Sequence, residues 1–483
     1  MPKVVIVGAG ISGLATAYRL QQMAPTVEVV VLERGNRPGG TIWTERQAGF
    51  QVEIGPNGFL DTNPATIQLC LDLGLKDQLI PASEAAGRNR FLFINGKLRA
   101  LPHSLETFLH SDLLSWRGKL HVLLERFRPK HKSVEDESID AFARRRAGRE
   151  AAEVFADALV TGIHAGDPAL LSVRAAFPRL TALEAQYGSI LKGLGRQARE
   201  RRRQRAASGE PFQRSGRMWS FREGLRLLVE TINRQLRRPP ILGVSVRRIE
   251  RTETQNLSRS ERATSWTVLG EGGERWFADA VILTCPAYQQ AAILAELDKQ
   301  LAEQISTILY NRVAVVALGY RREDVPANVD GFGYIAPQRT RGDLLGVQWC
   351  SSIFPERAPN GNVLFRALCG GWHRPDVVGW DDDRLLSAVR AELQLAVGIT
   401  AAPIFHHIIR WDHAIPQYHL GHLERVAHLE ERAAQYPGLF LGGSAYHGIA
   451  MNDCTEQAER LAKRVSGFLE EGSGARSRPR QTS

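Results

Sequence analysis

At 483 residues, with 43% hydrophobic and 24% charged side chains, the chain is long enough for two or three domains and apolar enough for a large core. That balance excludes a disordered or collagen-like polymer, and no apolar run approaches the roughly 18 residues needed to span a bilayer. The formal charge of +10 is concentrated: residues 196–205 carry six arginines and residues 247–262 five more. No aromatic residues are interleaved with the first run, so a solvated face or an anionic membrane surface is expected and a nucleic-acid partner is not.

The chain opens on a β-branched run, Lys3 to Val7, followed at once by Gly8-Ala9-Gly10-Ile11-Ser12-Gly13. A helical pattern continues through Leu14, Ala17, Tyr18 and Leu20, and a second apolar run, Val27 to Leu32, ends in Glu33. This is a βαβ unit. Its first glycine permits the tight turn, the second lets the backbone approach a pyrophosphate, and the third lets helix pack on strand. The pyrophosphate would sit on the helix N-terminus, and Glu33 would accept hydrogen bonds from ribose hydroxyls. With no charged-then-apolar leader before Lys3, a cytoplasmic protein is expected, with attachment to the inner face of a membrane left open.

Arg34 to Thr44 follows with a Gly39-Gly40 turn, and Gly49 to Gly58 ends in Gly55-Pro56-Asn57-Gly58. An acid, a GG turn and a strand ending in Gly-Pro together resemble the FAD-binding oxidases of the amine oxidase type. Nicotinamide dehydrogenases lack the second element. Asn63 to Leu75 reads as a helix capped by Asn63 and closed by Gly74. Arg90 to Leu98 reads as a hairpin turning at Asn95-Gly96. From Leu101 to about Leu194 the pattern is helical. Its apolar face runs from Leu105, Phe108 and Leu109 through Trp116 and Leu120 to Phe127, and either joins the core or lies in a membrane interface.

Ile241 to Val246, Trp266 to Leu269 and Phe277 to Thr284 predict a three-stranded meander feeding back to the first sheet. Arg312 to Tyr320, Gly331 to Ala336, Leu344 to Ser351 and Asn362 to Gly371 predict a mixed sheet carrying the substrate. Tyr436 to Met451 supplies a short strand and glycines. A final helix from about Cys454 to Leu469 would aim its N-terminus at a flavin, where a positive dipole end favours the reduced state. The expected class is therefore α/β: a Rossmann-type, glutathione-reductase-like FAD-binding domain (residues 1–87, 236–300 and 409–470) interrupted by a mixed-sheet substrate domain (88–100 and 301–408) and a helical insertion (101–235), with a disordered tail (471–483). The five cysteines lie at least 19 positions apart, which excludes CxxC chemistry and the usual zinc spacings; buried free thiols and no metal are expected.

Four stretches narrow the resemblance: Thr161-Gly162-Ile163-His164-Ala165-Gly166-Asp167-Pro168, Gly331-Phe332-Gly333-Tyr334, Ser351 to Pro359, and Pro416-Gln417-Tyr418 with Gly421-His422. In these the chain resembles the oxygen-dependent porphyrinogen oxidases of haem synthesis, meaning protoporphyrinogen oxidase and its coproporphyrinogen-oxidising relatives. The resemblance implies removal of six electrons from a porphyrinogen in three steps, hydride leaving a methylene bridge for flavin N5, with O2 reduced to H2O2. A strong protein base is not required, and no catalytic side chain is singled out. It implies FAD contacts at Gly8, Ala9, Gly10, Ile11, Ser12, Gly13, Glu33, Arg34, Thr41, Gly55, Pro56, Asn57, Gly58, Val246, Trp411, Ile449, Ala450 and Met451. Substrate contacts are implied at Arg90, Gly162, Gly166 and Phe332, with Phe332 against a pyrrole or in the core, and Arg90 or Arg88 pairing with a propionate. Two departures from the family pattern stand out: Thr41 where a basic residue is usual, and Ile449-Ala450-Met451-Asn452-Asp453 where Gly-Leu-Pro-Asp is common. The substrate expected is protoporphyrinogen, with coproporphyrinogen as the alternative, in a monomer or homodimer that passes its product to a ferrochelatase. An amine oxidase, a carotenoid desaturase or a non-catalytic flavin- or porphyrin-binding protein are the rival readings.

Overall fold

Val4 to Val7 and Val29 to Leu32 are short β-branched runs with no polar face, the pattern of strands covered on both sides. In the computed structural model, which describes residues 1–130, 135–207, 216–251 and 266–477, they become the centre of a four-stranded sheet. Its order is Leu439–Leu441, Ala280–Leu283, Lys3–Val7, Glu28–Leu32, with every pairing parallel. The chain thus returns twice, after long excursions, to strands beside its first. The Ile11–Met23 helix covers one face of this sheet beside the long Met451–Ser477 helix, and Leu14, Ala458 and Ala462 are buried between them.

The second large element is a seven-stranded mixed sheet. Its order is Phe405–Trp411, Val313–Arg321, Asn362–Gly370, Leu344–Gln348, Gly333–Ile335, Arg90–Ile94, Lys97–Ala100. The last two strands are the predicted hairpin, and Asn95 (φ 52°) and Gly96 (φ 73°) make its turn. One face of this sheet buries Val316, Leu318, Phe365 and Val347 under the Asp382–Val397 helix. The other face turns to the parallel-sheet unit, and Arg366 and Trp411 reach across it to the carbonyls of Gly55 and Ile54. A deeper tie is the ion pair of Arg357 with Glu53, 3.1 Å apart and both buried.

Helices from Leu105 to Ala207 form a third body. Its interior sets apolar clusters around Val154 and Phe142 beside a polar knot, where Glu125 accepts from the buried Arg146 guanidinium, the Ser189 hydroxyl and the Ile190 amide. The expected apolar stripe divides. Leu113 and Leu114 are buried, whereas Leu105, Trp116, Leu120 and Phe127 stand in solvent. Among the described residues no helix is long and apolar enough to cross a membrane.

Several expected boundaries move. The last helix runs Met451–Ser477 rather than Cys454 to Leu469, so it enters the segment expected to be a tail; residues 478–483 lie outside the described residues. Good helix formers at Glu470 and Glu471 continue the pattern past Leu469. Ile241 makes only one bridge, to Leu32, and the meander's first strand starts at Val246. The Leu344 strand ends at Gln348, and Cys350–Ile353 turns helical. Within the second arginine run, Arg259 and Arg262 lie outside the described residues. All five cysteines are buried and unpaired.

Candidate functional site

The first glycine turn has the geometry its spacing demands. Gly8 has φ 105°, and a Cβ at Gly13 would collide with the Gly8 carbonyl and lie 2.7 Å from the Thr284 hydroxyl, so helix and strand are in direct backbone contact. Gly10 differs, because nothing lies within 4 Å of where its Cβ would stand. Open space over Gly10, at the N-terminus of the buried Ile11–Met23 helix, is the cradle a pyrophosphate needs. Ile11 and Ser12 begin that helix and are buried. Glu33 lies at the end of the second strand, where its carboxylate accepts from the amides of Ala9 (2.7 Å) and Gly35 (2.8 Å). It thereby ties the glycine turn to the strand end. Arg34 is exposed beside Glu33, and its guanidinium meets the Gln289 side chain.

A second layer lies over the first. The Gly39 amide donates to the Ala9 carbonyl at 2.7 Å, and Gly40 rests against the Gly10 Cα. Thr41 follows, and a Cβ at Gly55 would collide with its carbonyl oxygen. The Gly55-Pro56-Asn57-Gly58 turn therefore continues the line that starts at Gly10. Asn57 is 5% exposed, and neither its amide oxygen nor its nitrogen finds a partner among the described residues. A buried amide with both ends unsatisfied costs about 1–3 kcal/mol per group unless something fills it. A ring system with alternating donors and acceptors, such as an isoalloxazine, would.

The line ends at the last helix. Tyr446 is buried, Ile449 is half-buried, Ala450 is exposed, and Met451 opens the helix whose first turn faces the Asn57 side. The Asn452 amide donates to the Leu60 carbonyl at 2.6 Å, which ties the two segments together. The loop before the helix is clamped from behind. Tyr418, fully buried, donates its hydroxyl to the Ser444 carbonyl and accepts the Gly448 amide at 2.8 Å. His422 stacks on the Tyr418 ring at 4.0 Å and bonds the Tyr446 carbonyl at 3.0 Å. Tyr418 and His422 thus hold the loop that leads to Ile449, Ala450 and Met451. The sequence signal was their spacing, but the clamp itself was not foreseen. Val246 stands where the segment that pairs with Glu33 and Gly35 turns into the meander.

The substrate candidates fall into two groups. Arg90 and Phe332 meet: the guanidinium carbon lies 4.8 Å from the ring centroid, and burial lowers the Arg90 pKa. Arg88 instead pairs with Glu84 on the outer surface, both about three-quarters exposed. Gly162 and Gly166 are packed against protein. A Cβ at Gly162 would lie 2.6 Å from the Ile335 methyl, and one at Gly166 would collide with the Gln417 amide. They let the Asp157–His164 helix and its end approach the sheet. That end is fixed by Asn311, whose amide donates to the His164 and Ala165 carbonyls, with Ala165 left-handed at φ 45°.

Sequence reasoning missed Gln348 and Arg366. Cross-strand register aligns Arg90, Gly333, Gln348 and Arg366 in one row on the face toward Gly55. At roughly 4.8 Å per strand the row spans about 14 Å. Its inner end is Arg366, 4% exposed and bonded to the Gln348 amide oxygen at 2.9 Å and to the Gly55 carbonyl. A lone arginine in an apolar strand was the available signal.

Comparison with known proteins decides the family. The model for flavin containing amine oxidoreductases matches residues 11–466. The chain belongs to this family. Tobacco chloroplastic protoporphyrinogen oxidase is 32% identical over 96% of this chain and 85% of its own length. Coproporphyrinogen III oxidase of Bacillus subtilis is 29% identical over 96% and 98%. A crystal structure from an Exiguobacterium species, provisionally named a protoporphyrinogen oxidase, superposes with a TM-score of 0.80 at 26% identity over 97% of this chain and 99% of that one. Within the family, then, the chain belongs to the porphyrinogen oxidase branch, and its cofactor is FAD. The open Gly10 cradle, the unsatisfied Asn57 and the two helix N-termini fit that cofactor.

Proposed function

We propose that the protein oxidises protoporphyrinogen IX to protoporphyrin IX in haem biosynthesis, with O2 as acceptor and H2O2 released. One observation carries the choice of substrate: the polar row on the seven-stranded sheet, with Arg90 over Phe332 at its outer end and Arg366 beside Gly55 at its inner end. Its length suits a tetrapyrrole laid along it. Protoporphyrinogen keeps both propionates on one edge, which Arg90 at the outer end of the row can hold. Four propionates, as on coproporphyrinogen, would press carboxylates on the apolar side chains of Ile335 and Leu368.

FAD when bound supplies the two-electron acceptor for each step. The chain's part is to seat the cofactor along Gly10, Thr41, Gly55 to Gly58 and Ile449 to Met451, to hold the macrocycle flat, and to exclude water. The pyrrole nitrogen supplies the push for loss of hydride, so no protein base is needed.

The helical body supports a second part of the reading, contact with an anionic membrane. Trp116 is 73% exposed, Phe127 66% and Leu120 54%, and the Leu124–Phe127 turn packs on the Ile190–Ala207 helix. Binding to vesicles of anionic lipid that is lost on Trp116→Ser with Phe127→Ser checks it. The activity is tested by aerobic turnover of the purified protein with each porphyrinogen in parallel, following porphyrin fluorescence and peroxide. Faster oxidation of protoporphyrinogen is expected. Faster oxidation of coproporphyrinogen overturns the choice of substrate, and no turnover of either overturns the activity.

A further inference from the structure

Beneath the Gly55 to Gly58 turn lie four ionisable side chains: Glu53, the cations Arg357 and Arg366, and the Cys350 thiol, whose pKa burial pushes up to about 11 so that it is neutral. Glu53 accepts from the Leu225 amide (2.9 Å) and the Thr44 hydroxyl (2.9 Å) and is ion-paired with Arg357 at 3.1 Å. The Thr44 oxygen itself accepts the Arg226 amide, so its proton points at Glu53. Burial pushes the Glu53 carboxyl up, the Arg357 cation and the two donors oppose that, and the charge Glu53 carries is paired with Arg357. Arg366 is left with only neutral acceptors, the Gly55 carbonyl and the Gln348 amide oxygen, and its Nε has no partner among the described residues. The cluster therefore carries one uncompensated positive charge. An unpaired charge held this far from water costs several kcal/mol, so a counter-charge is to be sought.

Two anions could supply it, a substrate carboxylate or the flavin after reduction. The geometry favours the flavin. Arg366 is 4% exposed and bonds the backbone of the flavin-cradling turn, whereas the outer end of the row already has Arg90 for a carboxylate.

We propose that Arg366, held by Gln348 and Gly55, is the buried counter-charge that keeps the reduced flavin anionic. This rests on the cofactor placement of the proposed function. The balance is simple. Oxidised flavin takes two electrons and one proton, at N5, and the second proton that N1 would otherwise bind stays in solution because the Arg366 charge stands in for it. Gln348 is the positioning residue. Its carbonyl end is fixed by Arg366.

The test is the flavin midpoint potential of the holoenzyme as a function of pH, read against dyes of known potential without substrate. A two-electron couple shifts about 30 mV per tenfold change, so one proton gives about 30 mV per pH unit and two give about 59 mV. The wild type is expected to follow the shallower slope down to about pH 6. In Arg366→Gln the break between the two slopes moves up by at least one pH unit, and in Arg366→Lys it moves less. A wild-type slope of about 59 mV at neutral pH overturns the proposal, as does an Arg366→Gln enzyme that retains FAD and keeps the wild-type break. An unchanged break with a raised KM assigns Arg366 to the substrate instead and also overturns it. A purified protein that takes up no FAD would overturn the underlying cofactor placement, which is a separate outcome.

Discussion

Arg90 and Phe332, 242 positions apart in the chain, are joined by a parallel pairing of neighbouring strands that sets the guanidinium over the ring. The contact holds a long flexible cation in place before any ligand arrives, which lowers the entropy cost of binding a carboxylate. Replacing Arg90 by Ala is expected to lower kcat/KM about 10- to 100-fold, mostly through KM, the loss of one charged hydrogen bond of roughly 1.5–3 kcal/mol. Arg88→Ala, which removes only a surface pair with Glu84, should leave the kinetics unchanged. Equal effects of the two would contradict the assignment.

The Tyr418 hydroxyl bridges both ends of the loop before the last helix. Tyr418→Phe leaves the Ser444 carbonyl and the Gly448 amide without their partner, at a cost of about 1 kcal/mol for each bond. The loop that presents Ile449 to Met451 should loosen, and the FAD dissociation constant should rise about tenfold or more by equilibrium titration of the apoprotein. Far-UV circular dichroism should stay the same. Unaltered affinity would mean that the stacked ring of His422 alone holds the loop.

Stability should depend on pH in two opposed ways. Burial pushes the Glu392 carboxyl from its usual 4.5 up to about 7, and the Tyr334 hydroxyl 3.1 Å away only partly offsets it. The folded protein binds that proton more tightly than the unfolded chain. The stability is therefore full below about pH 4.5 and lost as pH rises through about 7, by roughly 3 kcal/mol in all. His164 and His422 act the other way. Burial lowers each to about 4, so their stability is present above 6.5 and lost as pH falls toward 4. Thermal midpoints should rise from about pH 4.5 to 6.5, where the two histidines outweigh the one carboxyl, dip slightly to about pH 7 and then level off; Glu392→Gln should remove the dip and steepen the rise on the acid side.

The parts of the site that were legible in the sequence are those fixed by backbone. Gly8, Gly13, Gly39 and Gly55 stand where any Cβ would strike another segment, so their spacing carries the fold. The hairpin was equally readable, because Asn95-Gly96 is chosen for its turn. The Arg366, Gln348 and Arg90 row was not, since register between strands hundreds of residues apart leaves no local pattern. Gly162 and Gly166 stood out only as implied substrate contacts, and a sequence does not say what packs against a glycine; here it is Ile335 and Gln417. The helical stripe stayed ambiguous for a related reason. Period alone does not tell the buried Leu113 and Leu114 from the exposed Trp116 and Phe127.

The Glu53 and Arg357 pair joins the strand that leads into the Gly55 to Gly58 turn to the Pro355–Arg357 turn beneath the mixed sheet. Both side chains are out of water, so the pair as a whole gains little over two apolar groups, while either charge alone is strongly unfavourable. Arg357→Met strands the Glu53 carboxylate with only Leu225 and Thr44 as donors, and should cost about 3–5 kcal/mol. The double variant Glu53→Gln with Arg357→Met removes both charges and should recover a large part of that loss. Denaturant midpoints of the FAD-bound wild type, the single variant and the double variant measure it. If the double variant is as unstable as the sum of its parts, the two residues contribute through packing, and the junction between the sheets is held by shape rather than by charge.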